Sequence, residues 1–213
     1  MISLVVIGAG GFGRETLDVV EAINQASGQS IYRVRGVVDD HPLPVNVERL
    51  EHRGYQWLGT LDQWLSGGGS DEYVVGVGSP QARRAIVDQI ATRFVPAAGL
   101  VHPQAVIGSQ AVIGPGSVVC AGTMVSTNVH LGRHVHLNPA VTIGHDTILA
   151  DFVSINPGGI VSGEVLIETG VLVGAGAVIL QGLIVQEQST VGASACVVKD
   201  VEPGRIVKGV PAR

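Results

Sequence analysis

The chain is poor in aromatic residues, in charge and in cysteine. Of its 213 residues only 4% are Phe, Trp or Tyr and only 15% are Asp, Glu, Lys or Arg, against about a quarter charged in an average domain. Scarce aromatics and a net charge of −5 exclude a protein that stacks nucleobases or grips a phosphate backbone, so no nucleic-acid partner is expected. Two cysteines, Cys120 and Cys196, make no disulfide framework and fit a reducing, cytoplasmic compartment. Mean hydropathy is positive, at +0.38, but no run of about 18 apolar residues exists, so no membrane span is expected. The opening MISLVVIGAGG lacks a basic flank and runs into glycines. It reads as a first strand, not a signal peptide. What the chain does have is aliphatic side chains and 30 glycines, within a hydrophobic content of 46%. That composition is incompatible with disorder.

Residues 1–96 alternate strand and helix signals. Ser3–Ile7, Val34–Val38 and Tyr73–Val77 read as strands. Glu15–Ala26, Leu61–Leu65 and Gln81–Arg93 read as helices, with apolar residues such as Leu17, Val20 and Ile23 at helical spacing. This alternation predicts a Rossmann-like α/β half-domain with a parallel sheet. Gly8, Gly10, Gly11 and Gly13 sit between the first strand and helix, as G-x-G-x-x-G requires, and Asp39 closes the second strand. Read alone, the pattern suggests an NAD enzyme. Only one mononucleotide half is present, however, and no separate catalytic domain follows. A purely structural tight turn is the remaining alternative.

From residue 97 onward the period changes. Every sixth residue from Val101 through Ile143 to Val197 is Val, Ile or Leu, without a slip. If about a third of residues were of these types, seventeen in a row would arise by chance on the order of once in a hundred million. Six is neither a helical nor a hairpin period. It predicts a parallel β-helix in which three hexads close one triangular coil and residues eighteen apart stack. Residues 101–197 supply about five coils. The aliphatics fill the prism, and glycine is expected at the corners for its positive φ. Outward positions on several coils are also apolar (Val106, Ile148, Ile160, Leu166, Leu172 and Ile184), and these are expected to be subunit contacts.

The hexad array, together with Gly144-His145-Asp146 and the ending Val207-Lys208-Gly209-Val210-Pro211-Ala212-Arg213, resembles the left-handed β-helix of the hexapeptide-repeat acyltransferases. Over the whole chain it resembles the nucleotide-sugar N-acetyltransferases of the bacillosamine and perosamine pathways and their sialic-acid O-acetyltransferase relatives. The resemblance implies an acetyl-CoA-dependent enzyme of surface-glycan (lipopolysaccharide, O-antigen) biosynthesis that needs no metal. It also implies a homotrimer with active sites between subunits and a UDP- or GDP-linked amino sugar held by the N-terminal domain.

Carried over residue by residue, the resemblance makes His145 the general base and Asp146 its supporting acid. Near neutral pH an imidazole can take the proton that an amine loses as it attacks a thioester. The tetrahedral oxyanion needs a donor. Asn138 matches a family active-site position, and Asn156 or backbone amides are alternatives. Acetyl-CoA contacts fall at Ser154, Gly163, Ala175 and Ala193, with Lys199, Lys208 and Arg213 toward its phosphates. Gly10, Gly11, Phe12, Asp39, Asp40 and Gly78 match the nucleotide-sugar loop. The bacillosamine members carry His at the positions of Phe12 and Ser154, so those two contacts differ here.

Other readings stay open on the residues. O-transfer to sialic acid competes with N-transfer, and the intact nucleotide-type loop favours the amine. His130, His134 and His136 raise the possibility of a carbonic-anhydrase-type metal site. One hexad separates His130 from His136, which puts them on different faces, so such a site would need convergence across subunits. Otherwise these three are read as interface or solvent polar residues. A non-catalytic binding β-helix is the last alternative.

Overall fold

The computed structural model describes residues 1–213. The N-terminal part runs β1 (Ile2–Ile7), α1 (Gly11–Ser27), β2 (Tyr32–Val38), α2 (Pro44–Glu51), α3 (Leu61–Ser66), β3 (Glu72–Val75), α4 (Pro80–Ile90) and β4 (Val95–Pro96). The four strands form a parallel sheet in the order β2-β1-β3-β4. In β1, Leu4, Val5, Val6 and Ile7 are all buried, as expected of a strand covered on both faces. Two elements have no counterpart in the sequence pattern. α2 buries only Leu50, too little for a periodic signal. β4 is two residues long and contains Pro96, tolerated because the strand lies at the sheet edge.

The second part is a left-handed parallel β-helix. Seventeen two-residue strands, β5 to β21, recur every six residues from Leu100–Val101 to Cys196–Val197, and β22 (Ile206–Val207) follows. Partners lie eighteen residues apart, as in His136 against Val118 and Ser154. Three faces result. The first contains Leu100, Val118, His136, Ser154 and Leu172; the second Val106, Met124, Thr142 and Ile160; the third Val112, His130, Ile148, Leu166 and Ile184. The inward columns are dry: Leu131, Ile143, Ile155 and Ile167 are fully buried, and truncating one to Ala costs about 2–5 kcal/mol. Past Val197 the register shortens. Val185 pairs with Val201 and Val191 with Val207, a separation of sixteen, which ends the six-residue period.

The corners correct the expected use of glycine. Gly108, Gly114, Gly144 and Gly174 follow the inward aliphatics, and none has positive φ. A Cβ at Gly144 would lie 2.4 Å from Gly163 N, and one at Gly174 2.4 Å from Ala193 N, so close stacking of coils excludes a side chain there. Positive φ falls two residues later, at Gly116, Gly122 and Gly158 but also at Asn128 (57°), His134 (56°) and Asp146 (58°).

The N-terminal part docks on the first face of the prism. Val118 and Cys120 complete the cluster around Leu4, Leu17 and Val74, while Phe152 joins that around Trp64 and Phe94. His134 and His136 are buried in this junction, which corrects their reading as interface or solvent residues. His136 stacks on Phe12 at 4.3 Å and His134 on Phe152 at 5.2 Å. His130 stays exposed on the third face, and no cluster of His, Cys, Asp or Glu able to hold a metal ion forms. The apolar columns of the other two faces face solvent in the single chain: Val106, Ile148, Ile160 and Ile184 are exposed, Leu166 half-buried. Leu172, on the first face below the docked part, is also half-buried. No helix is long and apolar enough to cross a membrane.

Candidate active site

His145 projects from the edge between the second and third faces. Gly144 must be glycine for the coils to stack, and Asp146 adopts the left-handed conformation that Asp tolerates better than most residues. The pair is thereby presented outward. His145 Nδ1 meets Asp146 Oδ2 at 2.7 Å, and Asn128, one coil earlier, donates from Nδ2 to Asp146 Oδ1 at 2.6 Å. These bonds, Asn128 first, hold the Asp146 carboxyl below its ordinary pKa. An ionised Asp146 accepts a hydrogen bond from Nδ1–H, the tautomer that leaves Nε2 with its lone pair. The imidazole side chain is 59% exposed and lies across Gly163, where a Cβ would come within 2.7 Å of Cε1 and Nε2.

Asn128 was not among the expected residues. Its signal was present, because it stands eighteen residues before Asp146 and therefore one coil away in the same column.

The other expected prism residues divide between two edges. Gly163 and Lys199 share the edge of His145. Asn138, Ala175 and Ala193 lie on the edge between the first and second faces, together with Asn156. Asn138 is buried and donates from Nδ2 to Ile155 O at 2.9 Å. Lys208 approaches Gly192 on this same edge. Ser154 requires a correction. Its side chain is 1% exposed, accepts from Arg83 Nη2 at 2.9 Å and donates to Gly78 O at 3.1 Å. It is committed to the domain junction and presents nothing to a cofactor groove. Cys120 is buried, which pushes its thiol up to about 12, so it is no nucleophile.

The N-terminal cleft opens at the carboxyl ends of β1, β2 and β3. There the strand order reverses, the usual ligand position in such sheets. Gly8, Asp39, Asp40, His41, Leu61, Val77 and Ile86 line it. A Cβ at Gly13 would sit 1.8 Å from Gly8 O, whereas Gly10 and Gly11 face open space. Helix α1 begins there with no side-chain cap, leaving first-turn amides for an anion. Gly78 also faces open space. The two acids are less free than expected. Asp39 accepts from Ala9 N at 2.8 Å and His41 N at 2.9 Å, and Asp40 accepts from Leu61 N at 2.7 Å. They pin the glycine loop, β2 and α3 together and offer a ligand only their remaining lone pairs. Phe12 packs on His136 at the junction.

One relationship governs the whole arrangement. The N-terminal part covers the first face, and His145 stands on the edge opposite that face. Within one chain the cleft and the imidazole lie on opposite sides of the prism.

Residues 3–90 match the family described as the PglD N-terminal domain. The acetyltransferase domain of PglB from Neisseria gonorrhoeae FA1090 is 30% identical, with 100% of this chain and 99% of that chain covered and a TM-score of 0.85. The same domain has been solved in complex with acetyl coenzyme A. WeeI from Acinetobacter baumannii AYE is 26% identical, with 100% and 99% covered and a TM-score of 0.81. PerB from Caulobacter crescentus, in complex with CoA and GDP-perosamine, shares the fold at 23% identity, with 99% and 96% covered and a TM-score of 0.84. No curated protein matches the chain.

Proposed function

The chain belongs to the hexapeptide-repeat acetyltransferases with a PglD-type N-terminal domain, and from that premise we propose that it acetylates the 4-amino group of a UDP- or GDP-linked amino-deoxysugar with acetyl-CoA. The observation that carries this reading is the Asn128–Asp146–His145 relay, which ends in an exposed Nε2 with no partner in the chain.

The amine attacks the thioester carbonyl, the C–N bond forms, and the C–S bond of the tetrahedral intermediate breaks to release CoA. The ammonium proton passes to His145 Nε2 and then to the departing thiolate, so the imidazole ends as it began. Asn138 has one amide hydrogen on Ile155 O and a second to offer an oxyanion. Small residues at Gly163, Ala175 and Ala193 leave room for an extended cofactor arm beside the backbone. Lys199, three coils along the edge of His145, supplies positive charge for its phosphates.

Because the cleft and His145 occupy opposite sides of one prism, the working site is assembled between copies. The His145 edge of one chain faces the Asn138 edge and the cleft of the next, closing as a homotrimer. The exposed apolar columns of the second and third faces support such packing.

The test is thiol release from acetyl-CoA against UDP- and GDP-4-amino-6-deoxysugars and sialic acid, with the assembly sized by light scattering. Turnover on an amino-sugar nucleotide that vanishes in His145→Ala supports the reading. Turnover on sialic acid alone makes the enzyme an O-acetyltransferase. Turnover on none of them, or a fully active His145→Ala protein, overturns it.

A further inference from the structure

Arg83 heads the fully buried side chains, at 0% exposure, yet no carboxylate meets it. Burial draws its guanidinium down to about 9, still charged at neutral pH. A buried charge is costly unless every donor is used, and here the donors are divided between the two halves of the molecule. Nη1 donates to Val77 O at 2.8 Å and Gly78 O at 3.3 Å, both in the turn after β3. Nε donates to His134 O at 3.0 Å, and Nη2 to Phe152 O at 2.8 Å and Ser154 Oγ at 2.9 Å, all on the prism. Ser154 Oγ then donates back to Gly78 O at 3.1 Å.

Simple adhesion between the halves would need only apolar packing, which the Phe12–His136 and Tyr73–His134 stacks already supply. A planar fork fixed on two sides does something different: it sets a distance and an angle. We propose that Arg83 is a positioning residue that, with Ser154 as its second anchor, holds the Val77–Gly78 wall of the cleft at a fixed height over the prism. The acceptor bound in that cleft is thereby held in register with the acetyl donor. This rests on the reading of the cleft as the acceptor site. A displacement of about 1 Å at a reacting pair costs on the order of 100-fold in rate, so a rigid wall has catalytic consequence without touching substrate.

Two variants of the full-length protein test it. Ser154→Ala removes one anchor with minimal change of volume. Arg83→Lys keeps the charge but cannot reach both sides. Amide exchange at Gly76, whose N–H donates to Ile7 O at 2.7 Å, is expected to rise at least about 10-fold in both, with the prism strands unchanged. With the nucleotide sugar the wild type accepts, kcat/KM for that sugar is expected to fall about 10- to 100-fold, while the Kd for CoA stays at the wild-type value. Unchanged exchange at Gly76, or an unchanged kcat/KM in both variants, overturns the proposal. Equal weakening of CoA and acceptor binding also overturns it, since that marks general destabilisation. Should the wild type acetylate none of the sugars, the functional reading fails, and the exchange measurement still decides whether the clamp exists.

Discussion

Asn128 donates to one oxygen of Asp146 at 2.6 Å while the other oxygen meets His145 Nδ1 at 2.7 Å. The imidazole is therefore oriented from the neighbouring coil as well as from its own turn. His145→Ala is expected to lower kcat about 10²- to 10⁴-fold. Asp146→Asn is expected to lower it about 10- to 100-fold and Asn128→Ala less, since each acts through the imidazole. Steady-state thiol release checks the order, and a Kd for CoA unchanged in all three separates chemistry from binding. Asn128→Ala as severe as His145→Ala would mean that Asn128 touches substrate.

Gly163→Ala isolates the ring from the backbone. The φ at Gly163 suits any residue, and the three nearest atoms to the added Cβ all belong to the His145 ring, with Cε1 and Nε2 at 2.7 Å. The variant is expected to fold with a near wild-type Tm and to lose about 100-fold in kcat as the ring is pushed aside. In the background of His145→Ala it should cost little more, a non-additivity that a double-mutant cycle reads directly.

The proposed assembly of sites between copies of a trimer predicts complementation. His145→Ala and Asn138→Ala proteins, each poorly active alone, are mixed in equal amounts through unfolding and refolding. Random trimers then hold about a quarter of their sites with both residues intact. Recovery of about that share of wild-type activity is expected. No recovery would place both residues of a site in one chain.

Stability should fall in mild acid. Burial, and after it Arg83, holds His134 down to about 4 and His136 well below 6.5. Arg133 lowers His134 further, and Asp151 alone opposes this. Above about pH 6.5 both rings are neutral whether the chain is folded or not, and their burial carries no protonation penalty. As pH falls from 6.5 toward 4, the unfolded chain binds protons that the folded chain excludes, so folding free energy is lost across that window. Tm measured from pH 8 to 4 should drop, and His136→Phe, which keeps a ring beneath Phe12, should flatten the slope. An identical slope in that variant would assign the acid sensitivity to other groups.

The prism was legible in the sequence because a six-residue period can be satisfied by few folds and every coil repeats the same steric demand. The glycine loop was legible because Gly13 cannot carry a side chain beside Gly8 O. His145 and Asp146 were legible through resemblance, and Asn128 was within reach of the same column arithmetic. Arg83 left no trace, since nothing in PQARRAIVDQI tells which arginine turns inward. Resemblance alone assigns Ser154 to the groove, and a small residue suits grooves and junctions equally.

The near absence of aromatics and charge, the aliphatic columns and the glycines that let coils stack are one-dimensional facts, and the sequence determined them because each is enforced between neighbours eighteen residues apart. Which face of the prism the N-terminal part covers is set by contacts between distant segments: Phe12 on His136, Arg83 across His134 and Ser154. Only the tertiary structure decided that, and with it the consequence that the cleft and His145 stand on opposite sides of one chain.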